Sequence, residues 1–429
     1  MKNTYLLAFA LTAAAAAAMT SCGSNITVNE NTSADAVTSV SESAEAVEKS
    51  DKTSPESTDS AEINQLSNEA QETTYTKRDL EQTADTSEAQ RITASDNKTV
   101  SITEEGVYVI SGNAENFTVK VDADEQAKVQ LVLDGVDIEN EDFPAIYVLS
   151  ADKVFVTTTD SDNSLTVSGE FTSDGENNTD AVIYSKDDLV LNGTGTLNVT
   201  SNYGNGITCK DDMKITGGTY NVKSALDAFE ANDSISISDG TFNIATNKDG
   251  FHCENDEAEG TITISGGTFT INGMSDGIQA CAVLQIDGGD FDITASEGLE
   301  ATYVLINDGN ISISASDDGI NGSNKSSAAG TPAVEINGGS VTITMSGGDV
   351  DAIDVNGNIT VSGGTIDISY PQQGASEAFD YDGTATYNGG TIIINGSQVD
   401  SIPQSSMMGR GFGGGFGGGF GGGGRGGRF

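Results

Sequence analysis

The feature that most constrains this chain is a ten-residue phrase that keeps returning. Met213-Lys-Ile-Thr-Gly-Gly-Thr-Tyr-Asn-Val222 reappears as Ile235-Ser-Ile-Ser-Asp-Gly-Thr-Phe-Asn-Ile244 and as Ile262-Thr-Ile-Ser-Gly-Gly-Thr-Phe-Thr-Ile271. Looser copies follow at 284–293, 305–313, 334–343, 359–368 and 385–394. The second glycine of the turn falls at 195, 218, 240, 267, 289, 309, 339, 364 and 390, a spacing of 20 to 30 residues. Short alternating apolar runs fill each interval, and no helical period interrupts them. Such a repeat cannot bury its own apolar face and must stack on its neighbours. The expected fold is therefore all-β: a right-handed parallel β-helix, a solenoid of about eleven coils, roughly 50 Å long at strand spacing. A β-roll or a propeller fits the period less well, and a calcium-binding nonapeptide roll is excluded because its repeat is far shorter.

Within each unit the phrase reads strand, Gly-Gly turn, strand, Asp-Gly turn and a third short strand. Alternation sends Ile215, Ile237, Ile264, Ile286 and Ile336 inward, with Tyr220, Phe242, Phe269 and Phe291 after the turn. Cys209 and Cys253 fall on one inward column with Ala231 between them, about 9–10 Å apart and too far for a disulfide. Cys281 lies one residue out of that phase and is expected to be accessible.

The flanks read differently. Residues 1–22 have the pattern of an export signal, with Lys2 before an apolar run and Met19-Thr20-Ser21-Cys22 resembling a lipobox. Cys22 is the expected lipidation site, anchoring the mature protein to the outside of the cell membrane. Residues 23–96, rich in Ser, Thr and acidic side chains, read as a disordered tether. Residues 97–400 hold the repeat, and 401–429 form a flexible Gly-rich tail. A net charge of −46 excludes nucleic acid as a partner, and a single His excludes multi-His zinc chemistry.

The Asp-Gly turn carries the chemistry. One column reads Asn205, Asp227, Asp249, Asp276, Glu297, Asp318, Asp351 and Glu377; a second, three residues on, reads Thr208, Glu230, His252, Gln279, Glu300, Asn321, Asp354 and Asp380. Carboxylates stacked at strand spacing repel by about 1 kcal/mol in water and about 3–4 kcal/mol at an effective dielectric of 20. Either each Asp caps its own turn and points into solvent, or divalent cations sit between rungs. Calcium, which takes six to eight oxygens, is the expected cofactor. The candidate ligands are Asp227, Glu230, Asp249, Asp276, Glu297, Glu300, Asp318, Asp351, Asp354, Glu377, Asp380 and Asp382. Acid is densest at Glu297 with Glu300, at Asp351 with Asp354, and at Glu377 with Asp380 and Asp382. His252 reads as a surface histidine.

The blocks Lys128-Val-Gln-Leu-Val-Leu-Asp-Gly-Val-Asp-Ile138, Ala145-Ile-Tyr-Val148, Ala181 to Leu197 and Gly204-Asn-Gly-Ile207 resemble a bacterial family of extracellular carbohydrate-binding β-helix proteins. The resemblance spans roughly 97–400. It implies a fold similar to pectate-type polysaccharide lyases, bound calcium, and a polysaccharide partner, either cellulose or an acidic plant cell-wall glycan such as polygalacturonate. With no Trp in the chain, Tyr303, Tyr370 and Tyr387 are the candidates for stacking on sugar. Catalysis is the weaker reading. A lyase wants a basic side chain as well as calcium, and the repeat has no Arg and only Lys210, Lys214, Lys223 and Lys248 near the ladder. A hydrolase needs one defined carboxylate pair, and here there are too many to single one out. A surface adhesin whose acid only confers solubility is the remaining alternative.

Overall fold

A computed structural model describes residues 74–405, apart from 256–258, 328, 349 and 373–374. The expected export signal, Cys22, most of the tether and the Gly-rich tail from 406 onward lie outside the described residues. Among the described residues there are 36 strands and no helical element. They form one sheet of 24 strands and one of 12.

Each repeat contributes three strands. Asp212–Ile215, Thr219–Ser224 and Phe229–Ala231 make one set, and Ser234–Ile237, Thr241–Thr246 and Phe251–Cys253 the next. The first two of each set join the larger sheet and the third joins the smaller. In these sets each strand pairs in parallel with its counterpart one repeat on: Met213 with Ile235, Tyr220 with Phe242, Phe229 with Phe251. Identical register from repeat to repeat turns alternation into columns. Ile215, Ile237, Ile264, Ile286 and Ile336 are all fully buried. The rings of Phe242, Phe269 and Phe291 stack at 4.6 and 4.4 Å. A second stack, Phe229 on Phe251 at 4.8 Å, meets the first edge-on, the offset and T-shaped geometry that ring quadrupoles favour.

The turn glycines have a steric cause. Gly267 adopts φ +110°, and a Cβ there would lie 3.1 Å from both the Gly240 carbonyl oxygen and the Phe269 ring. Cys209, Ala231 and Cys253 share one buried column as read from the sequence. Cys281 is also buried, contrary to expectation. The chain turns there, and its Sγ contacts the Lys325 carbonyl of a loop 44 residues away.

The ordered body begins earlier than residue 97. Gln90–Thr93 is a strand paired in parallel with Gly106–Glu115. Residues 74–82 form a strap across the outer face of the larger sheet. There Arg78 lies 4.4 Å over the Phe155 ring, and the Lys214 ammonium donates to the Thr74 carbonyl at 2.6 Å. Gln82 donates to the Thr216 carbonyl and accepts from the Gly193 N–H, both at 2.9 Å. The tether reading therefore fails over 74–96, because composition cannot register partners more than a hundred residues away. At the other end, Ser397–Val399 folds back antiparallel on Thr391–Ile394, which pairs the outer edge of that strand.

Candidate functional site

The two acidic columns lie side by side on the smaller sheet. Strand pairing aligns Asp276 with Glu297 and Asp318 with Asp351, and a single bridge joins Asp351 to Glu377. The second column runs in the same register through Glu230, His252, Gln279, Glu300, Asn321, Asp354 and Asp380.

The residue after each first-column acid is Gly or Ala for a packing reason. At Gly277 a Cβ would sit 2.5 Å from the Gly298 carbonyl oxygen and 2.4 Å from an Ile293 methyl. Successive chains pass so closely there that five of the ladder side chains reach the backbone of the next repeat. The Oδ1 of Asn205, Asp227 and Asp249 accepts the N–H of Asp227, Asp249 and Asp276, at 2.9, 3.0 and 2.9 Å. Asp318 accepts from the Asp351 N–H at 3.3 Å, and Asp351 from Glu377 at 2.6 Å. The capping role foreseen for these Asp residues is thus real but crosses between repeats. It also does not place them in solvent, since Asp227, Asp249 and Asp276 are all buried. Glu297 interrupts the series: its own N–H goes to the Ser275 carbonyl, and its carboxylate reaches Asn321 Nδ2 at 2.9 Å.

Using one oxygen of each carboxylate in this way leaves a surplus of charge, and three lysines meet part of it. Lys210 pairs with Glu230 at 2.6 Å, Lys248 with Asp227 at 2.7 Å, and Lys325 with Glu300 at 2.7 Å. His252 Nδ1 lies 3.3 Å from Asp227, so this histidine belongs to a semi-buried ion cluster and not to the open surface. Burial lowers His252, but Asp227 outweighs it and holds the imidazole above its ordinary range. For Asp227, burial raises the carboxyl while His252 and Lys248 pull it below the usual range. Glu300 behaves alike: burial raises it, and Lys325, Gln279 and Ser323 together hold it low.

Further along, compensation is incomplete. Asp276 is pushed up to about 8 by burial and by the charges of Asp249, Glu297 and Glu300, and its carboxyl meets that of Glu300 within hydrogen-bonding range. Two carboxylates in contact need a proton or a cation between them. Oxygens of Asp276, Glu297 and Glu300 all lie within 4.8 Å of one another. Asp318 is likewise pushed up to about 8, by burial and then by Asp354 and Glu297. Asp351 and Asp354 rise to about 6 through burial and their acidic neighbours, Asp380 foremost.

The twelve candidate ligands thus divide. Asp276, Glu297 and Glu300 converge; Asp318, Asp351, Asp354, Glu377 and Asp380 continue the same columns. Asp227, Glu230 and also Glu300 are matched with lysines, and Asp249 stands beside Lys248 at 4.0 Å. Asp382 is exposed, just past the last rung.

The three tyrosines do not form one platform. Tyr303 is partly buried against Glu335, which with burial raises its phenol, and Tyr370 and Tyr387 pack on the core. Among the described residues the exposed aromatic is Tyr203, 53% accessible, in the turn just before the Asn205 rung; Leu226 and Met274 stand exposed in later copies of that turn. Sequence reasoning also passed over Asp188, Asp211 and Asp212, whose oxygens converge within 4.8 Å at another corner. The doublets Asp187-Asp188 and Asp211-Asp212 were the available signal.

Two stretches, residues 96–346 and 298–405, match the family model described as carbohydrate-binding domain-containing protein. A carbohydrate-binding domain-containing protein of Acetivibrio thermocellus is 41% identical over 128 residues, which is 29% of this chain and 45% of that relative. The chain thus spans less than half the length of the relative. A solved polysaccharide lyase-like protein from C. thermocellum, a gadolinium derivative, aligns with 25% identity over 69% of this chain and 96% of its own, at a TM-score of 0.40. With the family match running through nearly all of the ordered repeat, the chain belongs to the carbohydrate-binding domain-containing protein family.

Proposed function

We propose that this is a calcium-dependent, cell-surface carbohydrate-binding protein that recognises acidic plant cell-wall polysaccharide. In this reading the repeat winds as a right-handed parallel β-helix. Cys22 carries the lipid anchor and the acidic segment after it lifts the body off the membrane. The observation that carries the proposal is the convergence of Asp276, Glu297 and Glu300. A buried carboxyl with no lysine of its own, touching a second carboxylate, has the donor chemistry a hard divalent cation takes. Those three residues would hold calcium, and Asp318, Asp351 and Asp354 would extend the site along the columns. Bound calcium supplies positive charge and open coordination positions, through which the carboxylates of an acidic glycan can be held against an acidic protein.

Binding fits the ladder better than cleavage. Burial lowers Lys248 and Lys325, yet their carboxylate partners hold both above the ordinary lysine range. A general base for proton abstraction needs the opposite shift. The test is co-sedimentation of the full chain with insoluble de-esterified pectin, in calcium and in excess chelator. Binding in calcium that disappears with chelator is expected. Equal binding in both conditions, or in neither, overturns the calcium reading; unsaturated or shortened oligogalacturonides among the products would replace binding with catalysis.

A further inference from the structure

Ser405, where the described chain stops, lies on the acidic ladder itself. Its hydroxyl donates to Asp380 Oδ1, and Asp380 pairs in register with Asp354. Ile402 and Ser405 are both buried, so the chain is held against the final rung up to the point where residues 406–429 begin. The lysines that meet the ladder do so at earlier rungs, through Asp227, Glu230 and Glu300. Among the described residues no lysine or arginine pairs with Asp318, Asp351, Asp354 or Asp380. Beside the same rung the apolar packing is incomplete. A cavity of about 550 Å³ has Tyr370, Phe379, Ile394 and Val399 in its walls, together with Glu377 and Gln404. Tyr370, Ile394 and Val399 pack on the core yet stay partly exposed. Gln404 immediately precedes Ser405, so the chain leaves the body along the wall of this cavity.

The sequence that follows has the complementary chemistry. Residues 406–412 read Ser-Met-Met-Gly-Arg-Gly-Phe, and 406–429 hold three Arg and no acidic residue, in a chain of net charge −46. Arg410 brings the planar fork that pairs best with carboxylates. Five residues of chain reach at most about 17 Å, whereas Asp354 lies one strand spacing, about 4.8 Å, from Asp380. Arg410 is thus within reach of both columns. Gly409 and Gly411 flank it and let the chain reverse, which returns Phe412 toward the cavity beside Gln404. Attachment at Ser405 makes the contact intramolecular and removes the cost of association. Ordering glycine is costly, so docking is confined to the stretch where Arg and apolar side chains lie close together. Beyond Phe412 come glycine spacers, with no further charge until Arg425.

We propose that residues 407–412 dock on the end of the ladder, Arg410 among Asp351, Asp354 and Asp380 and Phe412 in the cavity, and so cap the last repeat. A stack of repeats needs such a cap, because its final unit has no neighbour to cover it. The sequence supplies its own control: Gly409-Arg410-Gly411 and Gly424-Arg425-Gly426 present trypsin with the same local site. The test is brief digestion of the full chain in chelator, which makes the outcome independent of the calcium reading, with the released peptides identified by mass. Cleavage after Arg410 is expected to be about tenfold slower than after Arg425, the protection that one charge-assisted hydrogen bond supplies. Asp351→Asn combined with Asp354→Asn keeps the acceptor for the Glu377 N–H but removes the charge, and should equalise the two rates. Its thermal midpoint shows whether it is folded; should it unfold, Phe412→Ser, which lies outside the body, decides by speeding the cut after Arg410. Equal rates in the unaltered chain, or protection that persists in the folded variants, overturns the proposal. Protection that grows with protein concentration also overturns it, by giving the segment to a second copy of the chain.

Discussion

A single oxygen decides what each ladder aspartate does. Asp249 Oδ1 accepts the Asp276 N–H at 2.9 Å inside the protein, so the acceptor matters there and the charge does not. Asn205, which does the same for Asp227, shows that an amide suffices. Asp249→Asn should leave the thermal midpoint unchanged or raise it, since the acceptor stays and a repulsive charge goes. Asp249→Ala should cost about 1–3 kcal/mol, because a buried N–H loses its partner. Denaturant melts of the two variants separate the roles, and equal destabilisation by both would refute the capping argument. The neighbouring glycines are constrained as tightly. Gly277→Val should cost about 3 kcal/mol or more, since even a Cβ overlaps the Gly298 carbonyl and an Ile293 methyl.

Along the column of strands the unit of behaviour is the stack of carboxyls. Asp276 and Asp318 each stand near 8, well above an unfolded aspartate near 3.8. The native state therefore binds protons more tightly than the unfolded chain. Its stability is fully present below about pH 4 for these two groups and is lost as pH rises toward 8. In chelator, thermal midpoints should fall from pH 5 to pH 8. Calcium should flatten that slope, because a cation replaces the proton between the carboxyls. A slope that calcium leaves untouched would mean that the ladder manages its charge with lysines alone. The aromatic stack works at the same scale: Phe269, between Phe242 and Phe291, should cost about 3–5 kcal/mol when replaced by Ala, read from the unfolding midpoint.

For the body as a whole, the strap of residues 74–82 ties several repeats together. Asp79 is fully buried, with Lys153 at 3.6 Å and Lys214 at 3.8 Å, both lysines largely covered. Asp79→Ala would take the carboxylate from Lys214 and leave Lys153 with Asp188 alone, at 3.4 Å, and should destabilise by about 1–3 kcal/mol. Limited proteolysis should then cut near residue 80 sooner than in the unaltered chain. An unchanged cleavage rate and midpoint would show that the strap is ornamental.

The spacing of the turn glycines and the alternation around them determined the strands, their parallel stacking and both acidic columns, because a repeat with one residue per rung leaves little freedom of register. Even the buried column of Cys209, Ala231 and Cys253 was legible, for the same reason. What the sequence could not supply were contacts outside the period. Lys325 reaches Glu300 from an irregular loop, and Arg78, Asp79 and Gln82 reach the sheet from a segment whose composition reads as disordered. Cys281 is buried by a loop 44 residues on. Which carboxylates are met by lysine and which are left to repel depends on those reaches. The location of the charge surplus, at Asp276 and Asp318, was therefore decided by the tertiary structure, where side chains from outside the repeat arrive at some rungs and miss others.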